Sequence, residues 1–169
     1  MSKLGTITIY KEAVLADIDA QTFKRVDGVL STESDQVKNA LSSDSTEDLD
    51  KHILHRHMET RDANIRARLA FCLGASDEIL DVTNLLDIEE PTFVYTLTLP
   101  DNCDKSRLKS LAQKIHNYLV QGTLYDWYAT QNMKGNVSET DLDKMETEII
   151  CMLRTSYVKR PLQPFGPRK

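Results

Sequence analysis

Residues 105–129 read KSRLKSLAQKIHNYLVQGTLYDWYA, and the spacing of their apolar side chains decides the fold class. Leu108, Leu111, Ile115, Tyr118, Gly122 and Tyr125 recur every three or four positions, and Leu119 and Trp127 widen the stripe. Asn102 or Asp104 stands where a cap accepts from the first unpaired N–H groups of a helix. A stripe this wide predicts a helix buried over most of its surface, and a chain organised around it predicts as mainly α.

Downstream, Gly135 and Asn136 make a turn and Ser138-Glu-Thr-Asp141 has the form of a capping box. The helix that follows places Leu142, Met145, Ile149, Met152 and Ser156 on one side, with Leu153 beside them. So short a connection requires the two helices to pair antiparallel. Upstream, Pro91-Thr-Phe93-Val-Tyr95-Thr-Leu97-Thr-Leu99-Pro100 alternates bulky apolar residues with Thr and Val, which is a strand by period and by propensity. Its bracketing prolines suit a sheet edge, one that could accept a strand from a partner.

Before this strand, residues 77–88 carry Ile79, Val82 and Leu86 at the spacing of a short helix. A longer helix is expected from the Ser45-Thr-Glu-Asp48 cap to about Leu73, with Gly74 as its stop. Its stripe is Leu54, Met58, Ile65, Leu69 and Cys72, interrupted by Arg61 and Asp62, so part of it is expected to face a partner or solvent. Residues 31–45 are rich in Ser, Asp and Thr and read as a loop with a marginal helix at Val37, Ala40 and Leu41. Val14, Ile18 and Thr22 recur at fourfold spacing, which predicts a helix from Lys11 to Arg25 closed by Gly28. Residues 6–10, TITIY, read as a short strand or an extended lead-in.

The expected architecture is therefore an antiparallel helical bundle with one short β-strand or hairpin segment at about 91–100 and extended N- and C-terminal arms. Residues 1–45 form the N-terminal arm with its short helix and polar loop, 46–158 the helical body, and 159–169 a basic, Pro-rich C-terminal arm.

A length of 169 residues suits one core, and 40% apolar with 28% charged residues is ordinary globular usage, which argues against a wholly disordered chain. No apolar run approaches the roughly 18–20 residues of a membrane span, and the N-terminus lacks the apolar core and cleavage pattern of a signal peptide. Synthesis in the cytoplasm and no membrane partner are expected. Cys72, Cys103 and Cys151 have no paired spacing and read as reduced thiols. A net charge of −5 argues against a protein that coats nucleic acid. The charge is uneven, however. The acidic run Asp44–Asp50 contrasts with Lys159, Arg160, Arg168 and Lys169 in the arm, which favours head-to-tail contact between copies.

Catalytic signatures are missing from the sequence. It holds no GxSxG elbow and no glycine-rich phosphate loop. The carboxylate pairs Asp17/Asp19, Glu89/Glu90 and Asp141/Asp143 sit where capping and solubility explain them. His52 and His55 share a helical face while His57 lies about 140° away, without the HExxH form of a zinc site, so the segment reads as a solvated face. No catalytic residue, cofactor or metal ligand is assigned. A metal-dependent hydrolase using His52, His55 and His116 is the enzyme alternative, which stoichiometric metal would revive.

Two segments are candidates for binding a partner. Tyr125, Trp127 and Tyr128 cluster late in the main helix, where core packing competes with an anchoring role at an interface. Arg160, Pro161, Leu162, Pro164 and Phe165 belong to an arm whose prolines forbid helix, leaving Leu162 and Phe165 as apolar studs that gain nothing unless another surface takes them.

The runs Tyr95-Thr-Leu97-Thr-Leu99-Pro100-Asp-Asn102, Ile115-His-Asn-Tyr118-Leu-Val, Leu124-Tyr-Asp-Trp127-Tyr128 and Arg160-Pro161-Leu-Gln-Pro164-Phe165 resemble small helical neck and tail ring proteins of tailed bacteriophages, of the crAss-like, Bacteroides-phage type. The resemblance covers residues 91–169, with a looser likeness over Ile9–Arg25. It implies a structural virion protein without enzymatic activity, a head–tail connector, neck or tail subunit that forms a ring oligomer around the portal–tail axis. The implied partners are further copies and portal, neck or tail proteins, with DNA nearby but not specifically bound. A cellular helical adaptor or regulatory module that binds one partner is the alternative.

Overall fold

A computed structural model describes residues 3–29, 48–74, 91–99, 103–131 and 135–154. The expected helices at 77–88 and around 37–41, the Ser45 cap, Asn102 and the C-terminal arm lie outside the described residues. In chain order the elements are β1 (Lys3–Tyr10), α1 (Lys11–Val29), α2 (Asp48–Leu69), β2 (Thr92–Leu99), α3 (Lys105–Thr130) and α4 (Glu139–Arg154). The fold is mainly helical with one small antiparallel sheet, as the sequence periods predict.

β1 and β2 pair over their full length, from Lys3 opposite Leu99 to Tyr10 opposite Thr92. Alternation sends Ile7, Ile9, Phe93, Tyr95, Leu97 and Leu99 to the buried inner face, where they meet the helices. Gly5 shares that face, and a Cβ there would stand 2.3 Å from Leu99 Cδ1, so the close approach of Leu99 and Leu108 depends on its having no side chain. The chain passes from β1 into α1 without a loop, and the Lys11 N–H donates to the Pro91 carbonyl at 2.9 Å, which joins the corner to the start of β2.

The proline-bracketed strand is not the free edge. β2 pairs with β1 on one side, and on the other Leu73 bridges to Leu97, while Gly74 N–H donates to Thr96 O and Thr98 N–H to Cys72 O. The turn that ends α2 carries residues 72–74 alongside β2 and closes that edge. Among the described residues the edge without a partner strand belongs to β1.

α3 occupies the centre, against α1, α2, α4 and β1. Asp104 caps it, accepting from the Arg107 N–H at 2.8 Å. α4 opens on the predicted capping box: Ser138 Oγ accepts from the Asp141 N–H at 3.3 Å, while Asp141 Oδ2 accepts from the Ser138 hydroxyl at 2.7 Å and from its N–H at 3.3 Å. The ties Lys114–Glu148 and Tyr118–Glu146 run in opposite order along α3 and α4, the signature of antiparallel pairing. α2 and α3 are likewise antiparallel, through His57–Thr130 and Arg61–Asp126. α1 departs from that pattern, since Asp17–His116 and Gln21–Gln121 run in the same order and set it parallel to α3.

Candidate functional site

The side chains with distinctive chemistry lie along α2, in the interval where its apolar stripe breaks. There the helix faces β2, α3 and α4, and Glu59, Arg61, Asp62 and Arg68 each meet a partner distant in sequence. Midway along α2, Glu59 meets Lys11, itself buried, which reaches from α1 at 2.6 Å and passes over the Phe93 ring at 4.8 Å. One turn on, Asp62 is 6% exposed, accepts from the Tyr95 hydroxyl and pairs with Arg66 at 2.5 Å, whose guanidinium lies 4.6 Å from the Tyr95 ring centre.

Arg61 grips Asp126 on α3 with two hydrogen bonds, Nε to Oδ2 at 2.7 Å and Nη2 to Oδ1 at 2.5 Å, and stacks over Tyr125 at 5.6 Å. The stem reaches α3 because Gly122 leaves room: a Cβ there would stand 2.8 Å from Arg61 Cδ. At the far end Glu146 on α4 accepts from Tyr118 of α3 at 2.6 Å and from Arg68 of α2 at 3.0 Å, which ties three helices at one carboxylate.

Burial raises Asp62 above the ordinary carboxylate range, against the lowering effect of Arg66 and Tyr95. Burial, Asp62 and its hydrogen bond push the Tyr95 phenol up, and burial with Glu146 does the same to Tyr118. For Arg61, burial opposes the charge but Asp126 outweighs it, and the guanidinium is held more firmly protonated. Their donors and acceptors are used on one another across α2, β2, α3 and α4, the pattern of a structural network whose hydrogen-bond capacity is spent internally. Tyr95→Phe deletes the donor to a buried carboxylate without changing packing volume, and is expected to lower unfolding free energy by about 1–3 kcal/mol in urea titrations.

The histidines are placed differently from a solvated face. His52 is exposed, but His55 is buried and His57 half-buried, its Nε2 3.3 Å from Thr130 Oγ1, because this stretch of α2 turns toward the sheet corner and α3. His116 pairs with Asp17 at 2.7 Å. Among the described residues no group of three or more His, Cys, Asp and Glu side chains is placed to hold a metal ion.

Burial, then the charges of Lys11, Lys51 and His52, hold His55 below the usual histidine value. Burial lowers His57 as well, although Asp126 pulls the other way. A histidine lowered in the folded state is more readily protonated when unfolded. Its contribution is thus fully present above about pH 6.5 and is lost as pH falls through that value toward the folded one. Asp62, raised in the fold, contributes with the opposite sign. Urea midpoints should therefore fall between about pH 7.5 and 5.5, and His55→Gln should flatten the dependence relative to the parent chain.

The aromatic cluster sits inward. Trp127 is 2% exposed and Tyr128 4%, so both belong to the core instead of facing a partner, because α3 is enclosed by α1, α2 and α4. Tyr125 is half-buried beneath Arg61. A cavity of about 40 Å³ beside Tyr128, Gln21 and Gln121 has room for water. Arg160, Pro161, Leu162, Pro164 and Phe165 lie outside the described residues.

Cys72 is buried, its thiol pushed up to about 11 by burial, Cys103 is half-buried and Cys151 exposed, and none of the three forms a disulfide. Among the described residues no helix is long and apolar enough to cross a membrane. Comparison with protein-family models, curated proteins and solved structures finds no match to this chain.

Proposed function

We propose that this chain is a structural virion protein, a head–tail connector, neck or tail ring subunit that oligomerises around the portal–tail axis and joins adjacent layers. It carries out no reaction; its role is shape and contact. The sequence runs at 95–102, 115–120, 124–128 and 160–165 support this reading, as does the net charge of −5, which suits a wall past which DNA slides without sticking.

The observation that carries it is the edge of β1. Natural edge strands are guarded by charge, proline or a bulge. From Leu4 to Tyr10 this strand has no charged residue, no proline and no break in its register, and among the described residues one edge has no partner strand. Such an edge accepts an extended segment of a neighbour through main-chain hydrogen bonds. Head-to-tail contact of that kind closes into a ring when the rotation permits.

Negative-stain microscopy of candidate portal and tail particles, with and without the chain, tests the proposal. An added ring layer at the portal–tail junction is expected. Binding to a single cellular protein at one-to-one stoichiometry, with no added layer, would favour the adaptor. Removing residues 160–169 is expected to leave the circular-dichroism melt unchanged and to weaken incorporation; loss of cooperative melting would assign the arm to the core instead.

A further inference from the structure

At one end of the molecule α2 and α4 finish where α3 and β1 begin. Arg68, in the last turn of α2, shares the Glu146 carboxylate of α4 with Tyr118 of α3. Farther along α4, Arg154 holds its guanidinium 5.5 Å from the ring centre of Phe71, which is 52% exposed in the turn that closes α2. The start of β1 joins them, since a Cβ on Gly5 would stand 3.5 Å from Leu108 Cδ1 and one on Gly74 3.9 Å from Leu4 Cδ2.

The charge at this end has one sign. No carboxylate occurs in β1, in α2 after Asp62, in α3 from Lys105 to Tyr125 or in α4 after Glu148. Those that border it are engaged: Asp104 caps α3, Glu146 is buried between Tyr118 and Arg68, and Glu148 is tied to Lys114 at 2.5 Å. That last tie sets the register of α3 against α4. Arg107 stands two turns before Lys114 on the same flank and Arg154 six residues past Glu148, so the ladder of paired charges between these helices ends on two neighbouring arginines. Lys105 and Lys109, one turn apart on the other flank of α3, are exposed. Among the described residues these four cations pair with no carboxylate.

Helix dipoles account for cations in the last turns of α2 and α4. They do not account for Lys105 and Arg107, which stand at the positive end of α3 with no acidic residue in its first turn. Like charges gathered against a dipole break a local rule at a cost to the fold, and only an anion outside the described chain offsets it.

We infer that this end binds the phosphate backbone of nucleic acid, without regard to sequence. An acidic protein surface mixes its carboxylates with cations and apolar side chains, whereas a duplex presents an unbroken line of phosphates, about one charge per 1.7 Å of axis, and surfaces that meet it are correspondingly cationic. The planar forks of Arg68, Arg107 and Arg154 suit phosphate oxygens, and Phe71 supports Arg154 from beneath. The net charge of −5 resides elsewhere on the chain, which confines adhesion to this end and keeps the body from coating a duplex. Contacts to phosphate alone carry no sequence information and let a duplex slide. A single chain suffices for this contact, with or without assembly into a ring.

Fluorescence anisotropy of a short labelled DNA duplex of random sequence, titrated with the full chain over a range of KCl concentrations, tests this. Binding at low salt is expected, weakening with a log–log slope of roughly −4, as about four phosphate contacts require. Arg107→Gln combined with Arg154→Gln should weaken binding at least about tenfold and flatten the slope by about 2, with the circular-dichroism melt of the parent chain retained. Lys105→Gln with Lys109→Gln, at two exposed positions, should do the same, while Lys51→Gln with Arg56→Gln in the first half of α2 should leave binding as it is. No binding at low salt, or binding that neither basic-end pair weakens, would overturn the inference. A salt-sensitive self-association lost in those variants, in a chain that binds no duplex, would assign the end to an acidic face of another copy and overturn it equally.

Discussion

Trp127→Ala is expected to lower unfolding free energy by about 3–5 kcal/mol, the range for removing a large aromatic side chain from a core that cannot collapse around the gap. Trp127 is among the largest fully buried side chains, on a helix packed against three others. Its indole Nε1 has no hydrogen-bond acceptor among the described residues, so the cost is one of packing and lost contact, not of a broken polar link. Trp127→Phe, which deletes that unpaired donor and keeps most of the ring, should accordingly cost much less, about 1–2 kcal/mol. Urea denaturation checks both. A change under about 0.5 kcal/mol for the alanine variant would place the side chain at the surface and return it to consideration as a partner anchor.

Arg61→Ala is expected to cost about 3 kcal/mol, at the lower end of the range for breaking a buried ion pair. The side chains of Arg61 and Asp126 are 13% and 19% exposed, so removing the guanidinium leaves a carboxylate that water reaches poorly. Asp126→Ala should cost a similar amount for the mirror reason. The double variant should cost clearly less than the sum, with a coupling above about 1 kcal/mol, because the second substitution removes the group that the first left unpaired. Gly122→Ala should give an independent reading of the same contact. Alanine favours helix over glycine by roughly 1 kcal/mol, yet here its Cβ meets the stem of an arginine whose head is pinned by Asp126, and the net effect is destabilising. Stabilisation by that substitution would show the Arg61 grip to be loose.

The elements that came through from sequence are those whose signal is local. The alternation over 91–100 became β2 at Thr92–Leu99, and the stripe over 105–129 became α3. The Ser138–Asp141 box formed as its residue types demand, since capping needs only neighbours three positions apart. β1 was legible from Thr6 onward but not at Leu4 and Gly5, because Gly5 lowers strand propensity and is explained only by Leu99 opposite it. The pairing of β1 with β2 joins segments far apart in the chain, which no period reports.

The polar seam carries no such local signal. In the sequence Arg61 and Asp62 read as a gap that exposes α2, and nothing sets Glu146 apart between Leu142 and Ile149. Their burial depends on Asp126, Tyr95, Tyr118 and Arg68 arriving from other elements. The available clue was position: a charged residue where an apolar stripe should continue is either exposed or paired, and spacing alone does not distinguish the two. His55 follows the same rule: it is buried on α2 although it stands in a polar run of the sequence. Trp127 and Tyr128 show the converse, since aromatic residues are favoured by cores and interfaces alike and only the enclosure of α3 decides between them.

The proposed role requires this chain to work as an assembled subunit. Light scattering of the purified protein across a wide concentration range, alone and with candidate portal or tail rings, tests it most directly. Either a discrete multimer of the 19.2 kDa chain or stoichiometric incorporation onto a preformed ring is expected. A monomer whose mass is independent of concentration and that ignores those rings would contradict it.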